Sequence, residues 1–126
     1  MGRVRNADTK PEMMLRRLIH SMGYRYRLHV SNLPGKPDMV FPARGKIIFM
    51  HGCFWHRHPS ATCKLARMPK SRLDFWEPKL DRNRKRDMEA IRRLKLDGWR
   101  VLIVWECQLK AGARLADKIK RFLEAD

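Results

Sequence analysis

The segment that decides the fold runs from a short apolar stretch into a ligand-rich loop: Lys46-Ile47-Ile48-Phe49-Met50, then His51-Gly52-Cys53-Phe54-Trp55-His56-Arg57-His58-Pro59-Ser60-Ala61-Thr62-Cys63. The apolar stretch has the length and residue types of a buried strand. Three histidines, two cysteines and two aromatic residues follow it within thirteen positions. Binding and catalytic residues concentrate in loops that a rigid scaffold positions, so we expect a functional site directly after this strand.

The hydrophobic pattern on either side of this strand predicts a mixed β-sheet flanked by helices. Residues 38–41 form a second apolar run, and residues 42–45 supply the turn of a hairpin between the two. Residues 99–105 are a β-branched run typical of a central strand, and residues 24–30 alternate as a half-buried strand does. With three helices, the predicted element order is α, β, β, β, α, β, α, which is an α/β fold.

Capping residues and apolar spacing predict the three helices. The first begins with Thr9 as its N-cap and Glu12 as its capping-box partner, and it ends at Gly23. The second begins near Ser71 and runs to residue 97, with Pro78 as a point where it is expected to shift or kink. The third carries its apolar face on residues 115, 119, 122 and 123. Capping is a sufficient explanation for Glu12 at this level.

Composition bounds the class of protein and its partners. The 126 residues suit one domain spanning 1–126, 44% of them are hydrophobic, and no apolar run approaches the ~20 residues of a membrane span. The net charge of +16 favours a polyanion, with DNA or RNA as the default. A membrane surface is the competing partner, but no helix is clearly basic on one face and apolar on the other. Without a secretory signal, we expect a cytoplasmic protein.

The three cysteines are an odd number in a chain without a signal, which argues for metal binding or free thiols. Cys53, His58 and Cys63 lie at intervals of five residues, and Cys107 follows the predicted central strand. Three thiolates and one imidazole can close a tetrahedral zinc site. The alternative is that Cys53 and Cys107 are small core residues at strand ends. That alternative does not explain the polar loop at 58–63, which a structural metal would order.

A second candidate metal ligand is Asp38, which follows Pro37 at the head of a strand. A carboxylate there is well placed to hold Mg²⁺, which takes oxygen ligands and substrate phosphates. Many nucleases also place an acidic residue and a lysine at the end of the next strand, where this chain has Met50 and Gly52. The alternative is that Asp38 only follows proline in a turn.

Proton transfer and base stacking have candidates in the same loop. His51 and His56 flank the aromatic pair, and imidazole titrates near neutral pH, so one of them can take a proton from an attacking water. The alternative is a structural hydrogen bond. Phe54 and Trp55 have polar neighbours and Trp76 lies at a helix start, so we expect exposed rings that stack on bases or wedge between them.

The long second helix has one face of further candidates. Trp76, Asn83 and Asp87 lie at i, i+7 and i+11, close to one side of the helix. Four basic residues surround them, and among these Asp87 is explained as an ordinary ion-pairing group. Asn83 is the polar candidate for DNA contact on this face.

The chain resembles the very-short-patch-repair (Vsr) mismatch endonucleases from about residue 4 to its end. The resemblance lies in Pro37-Asp38, residues 50–58, Phe75-Trp76 through Asn83 to Asp87, and residues 98–107. It implies a restriction-endonuclease-like α/β fold with a structural zinc. It also implies an enzyme that recognises T:G mismatches left by 5-methylcytosine deamination in double-stranded DNA and nicks 5′ of the thymine with Mg²⁺. A monomer at the bacterial nucleoid, with possible contacts to mismatch-repair proteins, is expected.

The resemblance also implies roles for single residues. Asp38 is the Mg²⁺ ligand, with Met50 adding its backbone carbonyl. His56 is the general base and His51 lies near the scissile phosphate, while Glu12 and Asp87 support the histidines. The implied zinc ligands are Cys53, His58, Cys63 and Cys107, and the aromatics that enter the DNA are Phe54, Trp55 and Trp76.

Two features depart from the family pattern, and two rival functions are open. The spacing from His58 to Cys63 is longer than usual, so Cys63 is the least secure zinc ligand. Met1 falls about where relatives insert a methionine after a basic arm, which predicts weaker grip or weaker mismatch selectivity. The rivals are a restriction or homing nuclease that cuts matched DNA and a zinc-stapled DNA-binding module without catalysis.

Overall fold

A computed structural model describes residues 9–28, 30–60 and 62–125, so the predicted role of Met1 lies outside the described residues. Within these ranges the chain forms three α-helices and three strands. In chain order they are α1 (Lys10–Ser21), β1 (Met39–Phe41), β2 (Lys46–His51), α2 (Leu73–Leu96), β3 (Arg100–Trp105) and α3 (Gly112–Glu124). Short 3₁₀ segments cover Pro42–Arg44, Lys64–Ala66 and Glu106–Ala111. None of the helices in these ranges has the length and apolarity to cross a membrane.

The sheet is mixed, as predicted, with strand order β1-β2-β3. β1 pairs antiparallel with β2, with Met39 opposite Ile48, and β2 pairs parallel with β3, with Met50 opposite Val104. The predicted hairpin turn is a 3₁₀ segment that ends at Gly45, whose φ of +66° suits a residue without a Cβ. The parallel pairing places the C-terminal ends of β2 and β3 side by side at one end of the sheet. We call this end of the sheet the catalytic edge.

The predicted strand at 24–30 was wrong. In the described part of this segment a single antiparallel bridge joins Arg27 to Val40, through N–H···O bonds of 2.9 and 3.0 Å. The segment still alternates, because Tyr24 is buried and Tyr26 and Leu28 are half-buried against the core. Alternation therefore reports one-sided burial, and β1 is only three residues long, too short to support a longer ladder.

Helices cover both faces of the sheet. On one face, α1 and α3 bury Leu15, Ile19, Ile119 and Leu123 against the sheet. On the other face, Leu94 of α2 packs with buried residues of β1 and β2, namely Val40, Ile47 and Phe49. The helix α2 begins two residues later than predicted and continues without a break through Pro78.

All three helices run antiparallel to β2 and β3. The end of α3 is held at the start of β2, where the Lys46 Nζ donates to the carbonyls of Leu123 (3.0 Å) and Ala125. The end of α2 turns directly into β3, with the Trp99 N–H bonded to the Leu94 carbonyl. The helix N-termini therefore point toward the catalytic edge, where their dipoles favour an anionic ligand.

Candidate active site and metal centre

Two carboxyl groups meet at the catalytic edge. Asp38 directly precedes β1, and its Oδ2 accepts a hydrogen bond of 2.6 Å from the Met50 N–H at the end of β2. The Glu12 carboxyl is in hydrogen-bonding contact with Asp38. Burial raises the pKa of Asp38 to about 7, the Met50 N–H opposes this, and the Glu12 charge adds to it. We call Glu12, Asp38 and the Met50 backbone the acidic corner.

The acidic corner has the donor set of a hard cation. Two carboxyl groups in contact repel each other when both are ionised, and a divalent ion would relieve that repulsion. In an extended strand the N–H and C=O of one residue point to the same side, so the Met50 carbonyl faces the side of Asp38. Glu12 also keeps its predicted cap, exchanging bonds of 3.4 Å with Thr9, so one residue serves both purposes.

A histidine–carboxylate pair lies beside the acidic corner. The His56 Nδ1 is 2.5 Å from the Asp87 Oδ2, which joins the loop to the middle of α2. Asp87 therefore pairs with His56, although basic residues surround it on the helix. A carboxylate on Nδ1 holds the proton there and leaves Nε2 as the basic nitrogen of the ring.

His51 lies at the end of β2 and stacks on His56. The two rings are parallel within 7°, with centroids 3.9 Å apart. Burial, followed by the charge of His56, lowers the pKa of His51 to about 4. Its Nδ1 is buried and has no hydrogen-bond partner among the described residues. His51 is therefore neutral at physiological pH and offers one hydrogen-bonding nitrogen next to the general-base candidate.

A cavity of about 620 Å³ opens onto Glu12, Met50 and His56, while His51 and Asp87 line a neighbouring cavity of about 230 Å³ that also reaches His56. The larger cavity is lined by Thr9, Pro11, Glu12, Met50, Gly52, Trp55, His56, Lys79, Asn83 and Glu106. Asn83 of α2 is part of this lining. The lining also contains Lys79 and Glu106, which the sequence analysis missed. Lys79 and Asn83 are four residues apart, and that spacing was the available signal for Lys79.

The three predicted DNA-facing aromatics form one cluster. Phe54, Trp55 and Trp76 contact each other edge to face, with ring centroids 5.1 to 5.9 Å apart. They are half-buried in one another, so the expectation of freely exposed rings was only partly met. The Lys79 ammonium lies 5.6 Å from the Trp55 ring centroid. Of the cluster, Trp55 lines the cavity, together with Lys79.

The four predicted zinc ligands come together on the other side of the loop 52–58. One ligand atom from each of Cys53, His58, Cys63 and Cys107 lies within 4.8 Å of all the others. The Cys107 N–H donates to the Cys53 sulfur (3.4 Å), and the Cys107 sulfur is 3.5 Å from the His58 Nδ1. Burial raises the pKa of Cys53 to about 12, so a soft cation is needed to hold a thiolate there. Three sulfurs and one imidazole fit zinc, and we call this group the Cys/His clip.

Trp105 connects the clip to the histidine pair. The His58 ring stacks on Trp105 at 4.3 Å and 15°, and His51 meets the same indole edge to face at 5.2 Å. Trp105 is the last residue of β3 and is half-buried between the two sites. The clip therefore fixes the loop that carries His56.

Comparison with known proteins identifies the family of the chain. The family model "DNA mismatch endonuclease Vsr" matches residues 1–62. The chain is 47% identical over 124 residues to the type II nicking enzyme V.XorIIP of Xanthomonas oryzae pv. oryzae, covering 98% of this chain and 89% of the relative. It is 42% identical over 118 residues to the DNA mismatch endonuclease Vsr of Escherichia coli K12, covering 94% and 74%.

Among solved structures, the catalytic domain of the homing endonuclease I-Bth0305I superposes with a TM-score of 0.60 over 91% of this chain and 94% of that one. At 16% identity this likeness concerns the fold, which is restriction-endonuclease-like. The sequence relatives define the chain as a DNA endonuclease. The chain belongs to the Vsr family of DNA mismatch endonucleases and is a DNA-nicking enzyme.

Proposed function

We propose that the enzyme nicks double-stranded DNA 5′ of the thymine in a T:G mismatch left by 5-methylcytosine deamination, with Mg²⁺ at the acidic corner. The observation that carries the proposal is one cavity that is lined by Glu12, Met50 and His56 and also by Trp55 of the aromatic cluster. The E. coli relative is named a DNA mismatch endonuclease, which supports the mismatch as substrate.

The acidic corner would hold the ion. Asp38 is the carboxylate ligand and Met50 adds a backbone carbonyl, while Glu12 supplies the second negative charge. A bound Mg²⁺ supplies charge that stabilises the phosphorane-like transition state and the leaving oxygen. Because the Met50 N–H fixes the Asp38 carboxylate at 2.6 Å, the ligand oxygen is pre-oriented before DNA binds.

His56 is the general base in this proposal. Its Nδ1 is held by Asp87, so Nε2 takes the proton of the attacking water. The neutral His51 ring stacks on His56 and limits its rotation, and its remaining nitrogen is available for a hydrogen bond near the scissile phosphate. His51 therefore supports the reaction without carrying charge.

Phe54, Trp55 and Trp76 would enter the duplex beside the mismatch. A T:G pair costs less to unstack than a matched pair, so ring insertion favours mismatched DNA. Lys79 and Asn83 line the same cavity and present a cation and an amide to the strand or to base edges. The Cys/His clip would hold a structural zinc that fixes the inserting loop.

Four expectations stay predictions. They are a single domain over residues 1–126, a monomeric enzyme, location at the cytoplasmic nucleoid, and contact with mismatch-repair proteins. Each concerns the whole protein in the cell, and the geometry of the site does not depend on them.

The test is a nicking assay on end-labelled duplexes that carry T:G or T:A in a cytosine-methylation site, run with Mg²⁺, with EDTA and with Asp38→Ala. We expect a Mg²⁺-dependent nick 5′ of the thymine in the T:G duplex alone, lost in Asp38→Ala. No nicking of either duplex under any condition would favour the DNA-binding module.

A second candidate is nicking at a matched site. It is favoured by the relatives that carry the name type II nicking enzyme, such as V.XorIIP. Equal nicking of the T:G and T:A duplexes would support it over the mismatch.

A further inference from the structure

A guanidinium is built into the wall of the acidic corner. Arg16 lies one helical turn after Glu12 on α1, and its Nη2 is 3.5 Å from the Glu12 Oε2. Both side chains are only 11% exposed. The Tyr26 hydroxyl donates to the Arg16 carbonyl at 3.1 Å, which anchors this turn of the helix. Arg16 is therefore a fixed, mostly desolvated cation, unlike the exposed arginine that follows it.

The charge of Arg16 acts on both carboxyl groups. It pairs directly with Glu12, and it favours the ionised form of Asp38. The corner thus combines two carboxyls with one guanidinium, which lowers its net negative charge by one. Because affinity for a hard divalent ion depends on the number of charged ligands, a cation at this position weakens metal binding.

We propose that Arg16 is a positioning residue that acts as the counter-ion of the acidic corner and keeps its divalent-ion affinity low until a DNA phosphate adds negative charge. The inference rests on the proposed role of Asp38 as the metal ligand. Magnesium sites of this kind use one or two carboxylates plus substrate phosphates. Metal and DNA would then bind cooperatively, and the DNA-free enzyme would hold little metal.

The test measures Mn²⁺ binding to the zinc-loaded, DNA-free full chain by electron paramagnetic resonance at pH 8.5. Arg16→Met is expected to bind Mn²⁺ roughly tenfold more tightly than the wild type, since removing a near, partly buried charge has a large Coulomb effect. Arg16→Lys should stay near the wild-type affinity. Arg17→Met is the matched control, because Arg17 is its exposed neighbour on α1 and its loss should change affinity less than twofold.

Arg16→Gln serves as a second neutral variant if Arg16→Met folds poorly. Unchanged or weaker Mn²⁺ binding in the folded neutral variants would overturn the inference, and so would an equal gain in Arg17→Met. Asp38→Asn separates the two proposals. If it abolishes the gain in the Arg16→Met background, the guanidinium acts on the Asp38 site. If it leaves Mn²⁺ binding intact in every background, the role of Asp38 as metal ligand fails, and the inference fails with it.

Discussion

The acidic corner and the Cys/His clip lie on opposite sides of the loop 52–58, and they are built differently. The corner takes its oxygens from residues at the ends of α1, β1 and β2, which the hydrophobic core already fixes. The clip takes its ligands from the loop 53–63 and from Cys107, the second residue after β3, and of these only Cys53 is fully buried. The corner is organised by the fold, whereas we expect the loop of the clip to depend on a bound ion for its order. Changes at the corner should lower the rate of nicking, and changes at the clip should lower the free energy of unfolding.

The largest expected effect is on nicking, in Asp38→Asn. Loss of the ligand charge should lower the rate by about 10³-fold or more, as expected when the charge that holds a catalytic metal is removed. The folded protein should not be weakened. Because the pKa of Asp38 is raised to about 7, its ionisation destabilises the metal-free fold as pH rises from about 4 through 7.

At pH 8 without metal, Asp38→Asn should therefore be more stable than the wild type by about 1–2 kcal/mol. Chemical denaturation at pH 5 and pH 8 with EDTA-treated protein checks the sign, and the difference between the two proteins should shrink at pH 5. If Asp38→Asn is less stable than the wild type at pH 8, the claim that the core fixes the corner without help from the Asp38 charge is wrong.

The second expected effect concerns Asp87, which contacts the loop 52–58 through His56. It tests whether Asp87 serves the chemistry of nicking or the structure of the clip. Asp87→Asn keeps a hydrogen-bonding group but removes the carboxylate that holds the proton on the His56 Nδ1 and leaves Nε2 as the basic nitrogen. We expect nicking to fall about 10²-fold, with the zinc content unchanged. Single-turnover nicking and metal analysis of the same preparation measure both. A loss of zinc would show that Asp87 serves the clip instead.

The third effect is structural and concerns Cys107→Ala. Loss of one thiolate opens the proposed zinc site, and we expect a loss of about 3 kcal/mol in the free energy of unfolding together with one equivalent of zinc. Ser60→Ala, a change in the same loop outside the ligand set, should change neither. Full stability in the zinc-free Cys107→Ala protein would mean that the core already holds this loop.

The smallest expected effect is a pH dependence of nicking that arises from Asp38 in the acidic corner and not from the clip. Below about pH 7 the Asp38 carboxyl, with its pKa of about 7, binds a proton in place of metal. Nicking at limiting Mg²⁺ should therefore fall as pH decreases from 8 to 6. Raising Mg²⁺ tenfold should move this limb toward lower pH, by up to about one pH unit if a single proton competes. If the fall in nicking at low pH does not shift when Mg²⁺ is raised, the responsible ionisation belongs to a group other than Asp38.

The two sites were predictable from sequence to different extents. The clip is predictable from residue type, because cysteines and histidines cluster near 53–63. The parallel pairing of β2 with β3 explains why Cys107 lies beside them. The acidic corner has no local signature. Glu12 precedes Asp38 by 26 positions, and their contact exists only because α1 packs on the sheet. For the same reason no local pattern in the sequence singles out Arg16.

The fold shows the same division between local and non-local information. The hairpin around residues 42–45, a strand near residues 99–105 and the capping box of α1 are confirmed, because each depends on residues close in sequence. The central position predicted for the strand at 99–105 was wrong, because in the described sheet β2 lies between β1 and β3. The strand predicted at 24–30 was wrong, because alternation shows which side chains are buried and carries no information on a pairing partner. Trp105 contacts His51 and His58 only because the chain packs in three dimensions. The β-branched residues beside it in the sequence predict a strand and give no sign of these contacts.

The most direct test of two separate metal sites is a crystal structure of the zinc-loaded enzyme with Mn²⁺ and a T:G duplex, with anomalous data at the zinc and manganese edges. The account predicts zinc on Cys53, His58, Cys63 and Cys107. It predicts manganese on Asp38 and the Met50 carbonyl, next to a DNA phosphate. Manganese held instead by His51, His56 and Asp87, or zinc absent from the Cys/His clip, would contradict it.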